Sequence, residues 1–204
     1  MIKKKSYWLK QHLSDQYVRK AQKMNLRSRA WFKIDEIQKN DQIIKPNMSV
    51  IDLGAAPGSW LQYVLRSIGV KGYIIACDIL PIMPVQGVCF LQGDFRKKNI
   101  RHVLIQKVKG KKIQLIMSDM SPNLSGFASI DIPQVIYLAN LALQLCSVTL
   151  SYGGNFLVKV FQGEGIDQYM QEVHSRFKKV IVRKPKASRA RSREMYIVAK
   201  GYKK

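Results

Sequence analysis

Acidic residues are scarce in this sequence. Its 204 residues carry 13 Asp plus Glu against 35 Lys plus Arg, a formal charge of +22. A compact protein with that excess repels itself unless something anionic binds it. Nucleic acid is the leading partner class and an anionic membrane surface the second. Cysteine is also scarce. Cys77, Cys89 and Cys146 form no CxxC pair and have apolar neighbours. That excludes a disulfide framework and points to reduced, buried thiols of an intracellular protein. His12, His102 and His174 lack metal-ligand spacing, so no metal site is expected. There is no GxGxxG and no Gly-Lys-Ser/Thr, which disfavours dinucleotide and Walker-type phosphate binding. Long hydrophobic runs are missing too. The longest, Val135 to Leu150, is interrupted by Asn140 and Gln144 and is too short to span a bilayer. The basic start, Met1 to Lys5, is followed by no apolar signal core. A cytoplasmic protein with no membrane partner is therefore expected.

What the sequence does contain is an alternation of strand and helix patterns. A basic arm is expected over residues 1–27, with Tyr7, Trp8 and Tyr17 among its charges, and a single domain over 28–204. Ala30, Trp31, Ile34 and Ile37 recur at helical spacing within Ser28–Ile37. Short apolar runs predict strands at Met48–Leu53, Gly72–Cys77, Val88–Leu91, Ile113–Ser118, Gly153–Val160, Val180–Val182 and Met195–Ala199. Helices are expected from Gly58, over Lys97–Val108, over Ile132–Leu150 and over Ile166–Arg176. Such alternation implies an α/β, Rossmann-like fold: a seven-stranded, mostly parallel sheet with helices on both faces. The final two strands have no helix between them and can pair antiparallel.

The first strand runs into Asp52-Leu-Gly-Ala-Ala-Pro-Gly58. Glycines there permit a tight turn and close approach of backbone to a ligand. Asp78, Asp94 and Asp119 follow the second, third and fourth strands. In open α/β sheets ligands sit outside the carboxyl ends of the strands. Asp78 can accept from ribose hydroxyls and Asp94 from an adenine amino group. Each acid alone could equally be a turn or helix cap; three at successive strand ends favour a ligand. Acids tolerate a cationic sulfonium, whereas a pyrophosphate favours helix N-termini and bases. The expected cofactor is S-adenosylmethionine.

Four segments together resemble the FtsJ/RrmJ family. They are Ser28-Arg-Ala-Trp-Phe-Lys-Ile-Asp-Glu36, Asp52-Leu-Gly-Ala-Ala-Pro-Gly-Ser-Trp60, Ser118-Asp-Met-Ser-Pro-Asn123 and Lys184-Pro-Lys-Ala-Ser-Arg-Ala-Arg-Ser-Arg-Glu-Met-Tyr196. The resemblance runs in order from about residue 7 to residue 204. It implies a class I methyltransferase acting on the 2′-hydroxyl of ribose in ribosomal RNA, with a uridine of the large subunit as target. It further implies a catalytic tetrad of Lys33, Asp119, Lys159 and Glu194, and cofactor contacts from Gly58, Trp60, Asp78, Asp94 and Asp119. Taken without the family, Lys33 could be a solvated helix face and Trp60 plain packing. Lys159 lies among Phe156, Leu157, Val158, Val160 and Phe161, where a lysine needs a reason. Two roles for it stay open. It is the base, with Lys33 favouring its uncharged form, Asp119 orienting it and Glu194 holding the pair; or it stays charged and positions the hydroxyl.

The basic residues cluster. Arg27 and Arg29 end the first basic segment, and Lys184, Lys186, Arg189, Arg191 and Arg193 lead into Glu194. These are the expected RNA contacts, neutralising phosphates without reading bases. The expected partner is large-subunit ribosomal RNA, within the assembled particle, bound by a monomer. A non-catalytic ribosome-assembly factor on the same fold is the rival reading; it predicts a broken tetrad.

Overall fold

In the computed structural model, residues 15–189 and 191–203 are described. Two helices, α1 (Gln16–Lys23) and α2 (Trp31–Asp41), precede the sheet. Then follow β1 (Ser49–Leu53), α3 (Ser59–Ile68), β2 (Tyr73–Asp78), β3 (Val88–Gln92), α4 (Lys98–Val108) and β4 (Ile113–Ser118). The chain continues through α5 (Ala128–Thr149), β5 (Leu150–Phe161), α6 (Ile166–Arg176), β6 (Phe177–Arg183) and β7 (Glu194–Tyr202).

The seven strands lie in the order β3-β2-β1-β4-β5-β7-β6. Pairing is parallel from β3 through β5. β7 is antiparallel to both of its neighbours. The expected fold class is therefore present. Hydrophobic patterning carried no information about one feature: β7 enters between β5 and β6 instead of adding at an edge. The order reverses at β1, whose neighbours are β2 and β4, and this opens the crevice where α/β folds bind ligands.

Alternation along the strands sorts side chains to two cores. Ile51, Leu53, Ile75, Phe156, Val158 and Ile197 face α4, α5 and α6. Val50, Ala76, Met117, Leu157, Tyr196 and Val198 face α2 and α3, meeting Ile34, Ile37, Trp60, Leu61 and Val64. Lys159 shares parity with Leu157, and Glu194 with Tyr196, so both point to the α2 side. The pairing sets Lys159 opposite Tyr196 and Phe161 opposite Glu194. One face of the sheet thus delivers Lys159, Glu194 and Tyr196 toward the helix that carries Lys33.

Within the arm, Asp15 accepts from the Tyr17 amide at 2.9 Å and caps α1. Val18 and Ala21 are buried, and Ala21 packs with Leu26, Phe32 and Ala187 of the loop before β7. Residues 1–14, with Tyr7, Trp8 and His12, lie outside the described residues. α5 begins four residues earlier than the periodicity predicts and runs for 22 residues. By length and composition it could cross a membrane, so the expectation that this stretch is too short is corrected. Half of its apolar window is buried in the fold, where Ala139, Ala142, Leu143 and Cys146 pack on the sheet.

Candidate active site

Two cavities adjoin at the carboxyl ends of the central strands, and Ser121 lines both. The larger, about 360 Å³, is walled by Gly54, Ala56, Asp78, Leu80, Asp94 and Asp119 among others. Asp78 is fixed from both sides: Oδ2 accepts from the Ala56 amide and Oδ1 from the Leu80 amide, each at 2.8 Å. A carboxylate has about four lone-pair sites, so both oxygens keep acceptor capacity. Asp94 takes a fork from Arg96, with Nε at 2.9 Å from Oδ1 and Nη2 at 2.8 Å from Oδ2. That hydrogen bonding holds Asp94 below the usual carboxylate range. The loop itself needs glycine at 54. Its φ is +76°, and a Cβ there would stand 2.6 Å from the Met120 amide nitrogen. The Asp52–Gly58 loop therefore rests directly on the backbone that follows Asp119. Acceptors for hydroxyls, an apolar wall and no surplus of bases suit an adenosyl group bearing a cationic sulfonium.

Of the five residues expected at the cofactor, Asp78, Asp94 and Asp119 line this cavity, while Gly58 and Trp60 do not. Gly58 precedes α3 with φ +101° and lies against Arg27. Trp60 is buried; its indole donates to the Ala30 carbonyl at 3.0 Å and its ring tilts against Tyr196. The Trp60 side chain is a packing group that ties α3 to the start of α2.

The smaller cavity, about 300 Å³, is lined by Arg29, Lys33, Lys159, Phe161, Leu124 and Glu194 among others. Where the two cavities adjoin, Lys33, Asp119, Lys159 and Glu194 meet in one polar chain. Glu194 Oε1 lies 2.9 Å from Lys33 Nζ. Lys33 Nζ donates to Tyr196 Oη at 3.0 Å, and Tyr196 donates to Asp119 Oδ1 at 2.9 Å. Lys159 Nζ lies 3.0 Å from the same Oδ1 and 2.8 Å from the Asp119 carbonyl. Burial pushes the Asp119 carboxyl upward, but Lys159 and Lys33, with hydrogen bonds from Lys159 and Tyr196, hold it below the usual range. Burial, reinforced by Asp119 and Glu194, pushes the Tyr196 phenol well above its ordinary value, so it stays a donor. Lys33 and Lys159, only 9% and 8% exposed, are tolerable charges because carboxylates pair them. Sequence reasoning did not single out Tyr196. Its strand alternation marked it as core, which it also is.

Beneath the site lies Asp52, fully buried, with neither carboxylate oxygen partnered. Burial first, then Asp119 and Asp78, raise its carboxyl well above the ordinary value.

The basic residues divide in role. Arg27 spans two carbonyls, Pro57 at 3.0 Å and Met83 at 3.1 Å, and so braces the Asp52–Gly58 loop. Arg29 reaches Asp15 and the Ala187 carbonyl, joining α1 to the basic loop, and lines the smaller cavity with Arg189. Lys184 Nζ donates to the Ser192 carbonyl at 2.8 Å, and the Lys186 amide donates to Glu36 at 2.9 Å. Lys186, Arg191 and Arg193 present exposed side chains around that loop.

Comparison with known proteins agrees with this architecture. A Plasmodium falciparum protein assigned provisionally as a ribosomal RNA methyltransferase superposes with a TM-score of 0.77 at 29% identity, covering 86% of this chain and 98% of that one. Human methyltransferase-like protein 13, in complex with SAH, superposes at 0.58 with 15% identity over 85% of this chain and 78% of that one, a likeness of fold. The model of the FtsJ-like methyltransferases matches residues 26–202. Motifs, fold and site geometry thus converge, and the chain belongs to the FtsJ-like methyltransferase family.

Proposed function

We propose that this methyltransferase moves a methyl group from S-adenosylmethionine to the 2′-hydroxyl of a ribose, a uridine, in large-subunit ribosomal RNA. One observation carries the reading. A single polar chain, Glu194–Lys33–Tyr196–Asp119–Lys159, has Asp119 on the wall of the larger cavity and Lys33, Lys159 and Glu194 on the wall of the smaller one. Donor and acceptor would approach each other across Ser121, and such alignment supplies much of a methyl-transfer rate.

When bound, S-adenosylmethionine supplies a methyl group already activated on a sulfonium. Asp78 would hold its ribose hydroxyls and Asp94 its adenine edge. At the acceptor, the hydroxyl must lose its proton as its oxygen bonds to carbon. Lys159 has two fixed acceptors, Asp119 Oδ1 and the Asp119 carbonyl. An uncharged amine satisfies both with its two N–H groups and keeps its lone pair for the hydroxyl proton. A charged amine would satisfy the same two acceptors and turn its third N–H to the hydroxyl oxygen, so this geometry serves Lys159 as the base and as a positioning cation alike. Lys33 reaches Glu194 and Tyr196, so it bears on Lys159 through Tyr196 and Asp119. The partly apolar floor, with Leu124 and Phe161, suits a nucleoside. The provisional ribosomal RNA assignment of the Plasmodium relative supports the substrate class. The basic loop neutralises phosphate without reading sequence, which favours the assembled large subunit as the selective substrate, met by a monomer in the cytoplasm.

The test uses methyl-labelled S-adenosylmethionine and large-subunit particles from cells lacking this chain. Label is expected at one ribose 2′-oxygen of the RNA. Label in protein with none in RNA would overturn the reading.

A further inference from the structure

The loop between β4 and α5 contributes Ser121 and Leu124 to the acceptor cavity, and its composition is unlike the rest of the site. Leu124 lines the cavity yet is 54% exposed. Three residues on, Phe127 is 68% exposed, and Ile130, a further three on, is 47% exposed. Large apolar groups kept in water at regular spacing call for an occupant. The loop is not left loose around them. Asp131 is buried and accepts from the Ser125 amide at 2.8 Å, the Ser125 hydroxyl at 2.9 Å and the Gly126 amide at 3.0 Å. The Ser125 hydroxyl accepts from the Phe127 amide at 3.1 Å. A buried carboxylate thus braces the turn that holds Phe127 outward.

Arg29, Arg189, Lys33 and Lys159 line the same cavity. The lining thus joins apolar Leu124 and aromatic Phe161 to four cations, and Phe127 stands exposed three residues beyond Leu124. That combination recurs where single-stranded nucleic acid binds: cations follow the phosphates while aromatic faces take the bases. A duplex keeps its base faces stacked and has nothing to offer an apolar ridge.

We propose that Leu124, Phe127 and Ile130 form a base-stacking ridge that receives unpaired bases at and beside the target nucleotide. The ridge makes the acceptor site selective for unstacked RNA. It rests on the reading of the acceptor as RNA and adds the conformation in which that RNA is taken. The cavity receives the target nucleoside against Leu124, and Phe127 stacks on the adjoining base, preventing the strand from closing back over it.

The test measures binding of end-labelled twelve-nucleotide oligouridylate and of an RNA duplex of equal length by fluorescence anisotropy. Phe127→Ala is expected to weaken the single strand roughly tenfold, the order of one lost base–aromatic stack. Phe127→Trp should restore it, and duplex and S-adenosylhomocysteine affinities should stay at the wild-type value. On particles, Phe127→Ala should lower kcat/KM for RNA and leave KM for S-adenosylmethionine alone. Equal weakening of single strand and duplex, or wild-type affinity of both Phe127→Ala and Leu124→Ala for the single strand, would overturn the ridge. Failure of the wild-type protein to label any RNA would overturn the methyl-transfer reading instead, since the oligonucleotide arm needs no turnover.

Discussion

Lys159 Nζ is bonded twice to one residue: it lies 3.0 Å from Asp119 Oδ1 and 2.8 Å from the Asp119 carbonyl oxygen. Side chain and backbone of Asp119 together fix where the amine sits. The residue is held in turn by its own amide, which donates to the Leu53 carbonyl at 2.9 Å. The amine is therefore positioned by β1 and β4 together, well before any ligand arrives.

Lys159→Ala should reduce methylation by about 10²- to 10⁴-fold, the range for a lost acid–base group. Affinity for S-adenosylhomocysteine, read by calorimetry, should hold, because Lys159 lines only the acceptor cavity. Loss of cofactor binding would remove it from the assigned role.

Tyr196→Phe deletes the hydroxyl between Lys33 and Asp119 while leaving the ring against Trp60. Urea unfolding should show a loss of about 1–2 kcal/mol, since two buried charged groups lose a shared partner. Methylation should fall in kcat with KM for S-adenosylmethionine unchanged. A variant as active and as stable as wild type would mean that the hydroxyl links nothing of consequence.

Asp52 gives a pH signature. Its carboxyl is raised in the folded protein, so the folded state retains a proton that the unfolded chain releases above pH of about 4. Stability contributed by this group therefore falls as pH rises from that point toward the raised folded value. Asp52→Asn carries no such ionisation. It should match or exceed wild-type stability at pH 8 in urea titrations, with the gap narrowing toward pH 5. A variant less stable at pH 8 than at pH 5, relative to wild type, would contradict the buried neutral acid.

Gly54→Ala should damage two functions at once. The added Cβ meets the Met120 backbone and sits at positive φ, a strain of about 1–3 kcal/mol before any steric shift. Because Met120 follows Asp119, both S-adenosylhomocysteine affinity and kcat should drop. An effect on cofactor affinity alone would show that the two loops move independently.

The sequence was most informative where chemistry broke a pattern. Asp78, Asp94 and Asp119 stand at strand ends where apolar runs stop, and Lys159 interrupts one such run, so each was visible as an exception. Tyr196 was not, because a tyrosine in an apolar alternation looks like core, and only the pairing with Lys159 reveals its hydroxyl as a link. Helix α1 was hidden by its charges; the capping Asp15 was the signal, and Val18 and Ala21 show which face it buries. The place of β7 was illegible because periodicity reports which face a residue takes and nothing about which strand lies beside it.

The entry of β7 between β5 and β6 also orders events in time. β6 is synthesised before β7, yet among the described residues its one sheet neighbour is β7. As the chain leaves the ribosome, β6 must wait unpaired until residues 194–202 arrive and fill the gap beside β5. The same insertion brings Glu194 and Tyr196 to Lys33 and Asp119. Sheet closure and completion of the polar chain thus go together, so a nascent chain with its first five strands already paired still lacks two of the five residues of that polar chain.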